Sequence, residues 1–331
     1  MNKEQIEQVG IVIIGRNEGK RLPLCFESLR DINCVKVYVD SGSIDNSVEI
    51  AKLNSVAVVK LDLSKPFSAS RARNEGFSCL VNINSNIKFV QFIDGDCEMR
   101  EGWISTGYEF LSSQFCYAVV SGRLRERNPG ESIYNLLCDI EWNTAIGDSA
   151  SCGGIAMIRV EAFNAVNGYR EGLLAGEEPE MCFRLRENGW KIHKLIVEMA
   201  LHDAAMTKFT QWWGRAKRSG YAYANGCYLH GDSVERFNVK QTISVVAWAL
   251  FLPLLIVLLA VYDVRFFGLI GLYPLQVMRL SIKGKPALNT WWKSISYASS
   301  NVIGKFPQAM GMLSFVFNQM FNQRAKLIEY K

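Results

Sequence analysis

Along the first two hundred residues, short apolar runs alternate with stretches whose apolar positions recur every three or four residues. Gly10 to Ile14, Val35 to Val39, Val56 to Leu61, Phe89 to Ile93 and Ala118 to Ser121 read as strands with helices between them. Residues 153 to 203 continue the alternation, with a strand at Gly154 to Ile158, a helix from Glu177 to Asn188 and a strand at Lys191 to Val197. Strands that are apolar throughout belong to sheets covered on both faces. The pattern therefore predicts an α/β fold with a Rossmann-like, mostly parallel central sheet and helices on both sides. Ligands bind such sheets beyond the carboxyl ends of the strands. That points to three loops: Gly15-Arg16-Asn17-Glu18, Asp40-Ser41-Gly42-Ser43 and Asp94-Gly95-Asp96.

The pattern changes after residue 205. Between 208 and 230, Phe209, Trp212, Trp213, Ala216, Tyr221 and Tyr223 recur at helical spacing among basic residues, an amphipathic and interface-seeking arrangement. Ile243 to Tyr262 then runs twenty residues without a charge, the length of a bilayer core. Asp263 and Arg265 interrupt it, and a second apolar stretch, Phe266 to Leu280, contains Pro274. The expectation is a helical hairpin that spans or re-enters a membrane; buried core helices are the alternative. The predicted organisation is a catalytic domain over 1–205, a basic and aromatic interface segment over 206–240, the hairpin over 241–282 and an interfacial helical tail over 283–331.

Charge follows the same division. Residues 1–203 carry 22 Lys and Arg against 28 Asp and Glu, whereas 204–331 carry 15 against 4. A basic surface beside an apolar run favours anionic lipid over nucleic acid as its partner. Lys208, Arg215, Lys217 and Arg218 precede the hairpin and Lys283, Lys285 and Lys293 follow it. The positive-inside rule then places both flanks, and the catalytic domain, on the cytoplasmic face of an inner membrane. Met1 to Gly10 has no apolar segment of a cleavable signal. The nine cysteines are scattered without a CxxC pair, as expected of reduced residues in a cytoplasmic protein.

Asp94-Gly95-Asp96 brings two carboxylates to a strand end, with a glycine that lets backbone approach a ligand. Hard oxygen donors suit Mg2+ or Mn2+ bridging to substrate phosphates; taken alone, the same triplet is an acidic turn. Asp40, followed by Ser41, Ser43 and Asp45, has hydrogen-bonding capacity for a base and ribose, although such residues also cap helices. Arg71 and Arg73 offer charge for phosphate, or else form a solvated helix face.

Taken in order, Ile11 to Glu18 (IVIIGRNE), Asp40 to Ser47 (DSGSIDNS), Arg71 to Gly76 (RARNEG), Ile93 to Asp96 (IDGD) and Gly176 to Arg186 (GEEPEMCFRLR) resemble family 2 glycosyltransferases. The resemblance covers residues 9 to 205. It implies the GT-A fold, a nucleotide-diphosphate sugar donor such as a UDP- or GDP-sugar, a divalent metal, and inversion at the sugar carbon. It also implies site roles. Arg16, Asn17, Glu18, Asp40, Ser41, Ser43, Arg71, Arg73, Asn74, Asp94 and Gly95 would bind the donor, with Asp40 on the base and Asp94 on the ribose or diphosphate.

Asp96 would ligate the metal, with Asp94 and His202 as further ligands. Where family members carry Glu-Asp, this chain has Glu177-Glu178, so Glu178 is the expected catalytic base and Glu177 and Glu180 the alternatives. The same acids suit a helix N-terminus. Gln211-Trp212-Trp213-Gly214-Arg215 is similar to the QxxRW element of processive relatives with its Arg and Trp in another order. No polymerase follows; Trp212, Trp213 and Arg215 are expected at the acceptor, the diphosphate or the membrane interface. The apolar segments make a membrane-bound, polyprenyl-linked glycan the expected acceptor, in polysaccharide assembly; a polyprenyl-phosphate sugar synthase, or a catalytically inactive membrane scaffold, is the alternative.

Overall fold

The computed structural model describes residues 1–54 and 56–323. Nine strands form one sheet: β1 Val9–Gly15, β2 Val35–Asp40, β3 Ala57–Lys60, β4 Phe89–Asp94, β5 Cys97–Met99, β6 Tyr117–Glu126, β7 Gly147–Asp148, β8 Ala156–Arg159 and β9 Lys191–His202. Their order is β3-β2-β1-β4-β8-β6-β9-β5, with β7 paired to β9. The first four are parallel. Beyond β4 the sheet is mixed: β8 is antiparallel to β4 and β6, and β6 is parallel to β9. Parallel pairing therefore dominates only half of the sheet. The short strand β5 has no counterpart in the sequence pattern, because Glu98 interrupts its apolar run.

Continuous apolar strands bury both faces. Val12, Ile14, Val37 and Val39 pack on one side with Ala72, Phe77 and Leu80 of the helix Ala69–Ile83, while Val9, Ile11 and Ile13 pack on the other with Leu22, Cys25 and Phe26 of the helix Leu22–Ser28. Each fully buried aliphatic or aromatic side chain contributes roughly 2 kcal/mol. The helix Ala69–Ile83 starts at Ser68, whose Oγ accepts from the Arg71 amide at 3.1 Å. It lies close to the sheet because residue 76 is glycine: a Cβ there would come within 2.5 Å of Val12 Cγ1 and 2.7 Å of Val39 Cγ2. That approach brings Arg73 to the end of β4.

The chain divides into two compact units. The first holds Met1–Arg127, Trp142–Leu173 and Glu177–Ala204, and with them the sheet. The second holds Asn128–Glu141, Leu174–Gly176 and the chain from Ala205 onward, and its elements among the described residues are helices. In this second unit Trp212 stacks near Tyr134, with centroids 6.4 Å apart, and Arg215 Nη1 donates to Glu141 Oε2 at 2.5 Å.

Val239–Tyr262 is one continuous 24-residue helix, the single helix among the described residues long and apolar enough to cross a membrane. Only 17% of its most apolar window is buried, unlike a core helix. A π turn at Ala247–Phe251 precedes Pro253 and accommodates its missing amide proton. Asp263 ends the helix and accepts from the Arg265 amide at 2.9 Å. The second apolar stretch differs from the expected helix: it divides into a 3-10 segment, Val264–Gly271, and the helix Leu272–Leu288. Part of the expected tail, residues 324–331, lies outside the described residues.

Candidate active site

The first two loops are clamped to each other. The Asn17 amide donates to Ser43 Oγ, the Glu18 amide to Ser47 Oγ and the Ile44 amide to Asn17 Oδ1, each at 2.9 Å. Asn17 takes a positive φ of 57° in this turn, a conformation Asn tolerates. Asp40 is 3% exposed, and its Oδ2 accepts from the Gly42 and Ser43 amides at 3.0 Å. Its Oδ1 is buried with no hydrogen-bond partner. A buried, unpartnered carboxylate oxygen costs free energy until a donor meets it, so Asp40 is an acceptor prepared for a ligand N–H or O–H. Arg16 lies over the Phe67 ring at 4.2 Å.

The third loop follows β4. Gly95 donates its amide to Ile14 O at 2.8 Å, and a Cβ there would sit 3.2 Å from Leu22 Cδ1 and 3.3 Å from Ile14 O. Asp96 is 3% exposed, and its Oδ2 lies 3.3 Å from His202 Nε2. The ring of His202 stacks on Trp142, with centroids 4.7 Å apart and planes 16° apart. Stacking thus fixes the ring while its Nδ1 is buried without a hydrogen-bond partner. The donor atoms of Asp96, Cys97 and His202 lie within 4.8 Å of one another.

Arg73 ties the end of β4 to the acidic helix Glu177–Glu187. Its Nη2 donates to Asp94 Oδ1 at 2.9 Å and its Nη1 to Glu177 Oε1 at 3.2 Å, and it lies 5.5 Å from the Tyr169 ring. Burial works against its charge, but Asp94, Tyr169 and Glu177 outweigh burial and push its pKa up. Glu178 faces another way: its Oε1 accepts from the Cys152 amide at 2.6 Å and the Cys182 thiol at 3.0 Å.

Other expected residues have different partners. The Arg71 guanidinium donates to Glu75 and to the carbonyls of Asp62, Lys65 and Pro66, and so ties its helix to the 62–66 loop. Asn74 bonds Tyr169 through both its amide and its carbonyl oxygen. Glu180 is 1% exposed and held between Arg170 at 3.0 Å and Arg184 at 2.8 Å. Ser41 is buried beside Asp40, its amide bonded to Gly15 O at 3.0 Å.

Sequence reasoning missed Trp142, Tyr169 and the Cys152–Cys182 pair. Only the four-residue spacing of Glu178 and Cys182 was a visible signal. A cleft of about 760 Å3 bounded by Lys3, Glu7, Asp31, Arg100 and Glu101 contains none of these groups.

Residues 10–166 match the model of glycosyl transferase family 2. That stretch is a glycosyltransferase domain of this family and carries Asp40, Arg73, Asp94 and Asp96. Among curated proteins, the pre-mycofactocin glycosyltransferase of Mycobacterium tuberculosis is 25% identical over 259 residues, covering 73% of this chain and 52% of the relative. The succinoglycan biosynthesis protein ExoA of Rhizobium meliloti is 28% identical over 204 residues, covering 55% of this chain and 59% of the relative. The chain spans little more than half the length of these relatives. Among solved structures, the mannosyltransferase PcManGT from Pyrobaculum calidifontis, in complex with GDP-Man and Mn2+, superposes with a TM-score of 0.60 at 13% identity, covering 92% of this chain and 87% of that one. The fold is GT-A.

Proposed function

We propose that the chain transfers a sugar from a UDP- or GDP-sugar to an acceptor hydroxyl, with a divalent ion and inversion at the sugar carbon. The observation that carries this is the meeting of Asp96 and His202 at the sheet's carboxyl edge, in the same unit as the unpartnered Asp40 oxygen. The oxygen and imidazole donors of Asp96 and His202 fit Mg2+ or Mn2+. The ion, when bound, neutralises charge on the departing nucleoside diphosphate. Asp40 receives an N–H of the base, and Arg73 holds Asp94 in place beside the diphosphate. Glu178 accepts the proton of the acceptor hydroxyl as that oxygen attacks the anomeric carbon. Direct displacement by one oxygen inverts the centre and needs no covalent intermediate.

Glu178 and His202 lie beyond the matched stretch: the role of His202 rests on its contact with Asp96, and that of Glu178 on the sequence resemblance. The acceptor we propose is a polyprenyl-linked glycan at the cytoplasmic surface of the inner membrane, in polysaccharide assembly. The exposed apolar helix Val239–Tyr262 supports this reading by keeping the chain at a lipid surface. The basic and aromatic segment with Trp212, Trp213 and Arg215 would serve the interface. Assay of the purified chain against a panel of nucleotide sugars, with and without chelator, tests the activity. Release of nucleoside diphosphate from one donor in Mn2+ is the expected result; release undiminished by chelator, or none with any donor, opposes it.

A further inference from the structure

Cys152, Glu178 and Cys182 converge although 26 residues separate the first two. The two sulfurs are 3.6 Å apart, and the Cys182 thiol and the Cys152 amide both donate to Glu178 Oε1, at 3.0 and 2.6 Å. The Cys152 thiol also has the Gly153 carbonyl at 3.4 Å. All three ligand atoms lie within 4.8 Å of one another. Glu178 and Cys182 sit four residues apart on one helix, the spacing by which helices present two ligands to zinc. Cys152, on the segment before the strand Ala156–Arg159, is half-buried as a residue.

Magnitudes separate two readings of this pair. A disulfide needs sulfurs about 2.04 Å apart, whereas tetrahedral zinc with arms of about 2.3 Å to sulfur has a sulfur–sulfur edge of about 3.8 Å. The observed 3.6 Å lies close to the second value and far from the first. A sulfur–oxygen edge is about 3.6 Å by the same geometry, so the Cys182–Glu178 contact would open by roughly half an ångström.

We propose that Cys152, Glu178 and Cys182 form a second metal site, selective for Zn2+ or Cd2+ over Mg2+ and Mn2+, whose occupation inhibits transfer. Two thiolates select softer ions, whereas the Asp96 group sets a single thiol, Cys97, beside a carboxylate and an imidazole. Binding forms two metal–sulfur bonds and one metal–oxygen bond, and the two thiol protons pass to solvent. No oxidation is involved. The fourth position stays open to water. Inhibition rests on the reading of Glu178 as base: a carboxylate coordinated through one oxygen shares its charge with the ion and becomes a much weaker acceptor for the acceptor's proton.

The test is a Cd2+ titration of the full chain in Mn2+ and donor, recording thiolate-to-cadmium absorption together with turnover. One equivalent should develop the absorption while turnover falls about a hundredfold. Cys152→Ser and Cys182→Ser should each lose the absorption, and Cys152→Ser should lose the inhibition relative to its own ion-free rate. Should the buried Cys182→Ser not fold, Cys152→Ser on the loop decides alone. No thiolate absorption in the parent, or equal absorption in Cys152→Ser, would overturn the site. Absorption that follows the cysteines without inhibition would uphold the site and remove Glu178 as the base.

Discussion

The two compact units put polarity in opposite places. In the sheet-bearing unit, charge is inside: Arg73, Asp96, Glu178 and Glu180 are all buried, and each meets a fixed partner. In the helical unit, apolar surface is outside: Leu258 is 61% exposed, Val261 84% and Tyr262 90%. Buried charges cost free energy unless paired, and they are retained where geometry matters. Exposed apolar runs are costly in water and favourable in lipid. The first unit holds its charges in fixed pairs, and we infer that the second is organised for an apolar surrounding.

Breaking the first arrangement has the largest expected effect. Arg73→Ala leaves Glu177 and Asp94 without their shared cation and removes a buried side chain, which should lower stability by about 3 kcal/mol. Chemical denaturation of the variant measures it. A loss below about 1 kcal/mol would mean that the cluster is solvated and not pre-organised.

Next comes Glu178→Gln, which keeps shape but cannot accept a proton. Turnover should fall about a hundredfold, near 2.7 kcal/mol of barrier, with donor affinity close to the parent's. Glu180→Gln should instead lower stability, because Arg170 and Arg184 lose their counter-charge. If Glu177→Gln alone shows the kinetic loss, the base is Glu177.

The smallest effect per residue sharpens the second half of the comparison. Basic residues near an anionic surface contribute about 1 kcal/mol each and are screened by salt, whereas an inserted apolar helix is held far more firmly. High salt should leave the full chain sedimenting with membranes, while a chain ending at His202 should remain in the supernatant. Release of the full chain by salt alone would show that Val239–Tyr262 is covered by protein.

Much of the sheet was legible because strands buried on both faces leave apolar runs, unbroken in Ile11 to Ile14 and broken in Phe89 to Ile93 only by the buried Gln91. The mixed half was less so, since pairing direction depends on connections that no local run encodes. Within the site, Arg71 and Arg73 looked alike in sequence. Two positions along a helix turn a side chain through about 200°, so one arginine faces the 62–66 loop and the other the carboxylates. The same rotation splays Glu177, Glu178 and Glu180 onto three partner sets. Trp142 reaches His202 across sixty residues, and nothing near either residue signals that contact.

The central claim is that Asp96 and His202 hold a divalent ion for the nucleotide. Calorimetric titration of nucleoside diphosphate into the full chain, with and without Mn2+, tests it most directly when repeated on Asp96→Ala. Binding in the parent should strengthen with Mn2+, and that gain should vanish in the variant. An equal Mn2+-dependent gain in Asp96→Ala would contradict the assignment.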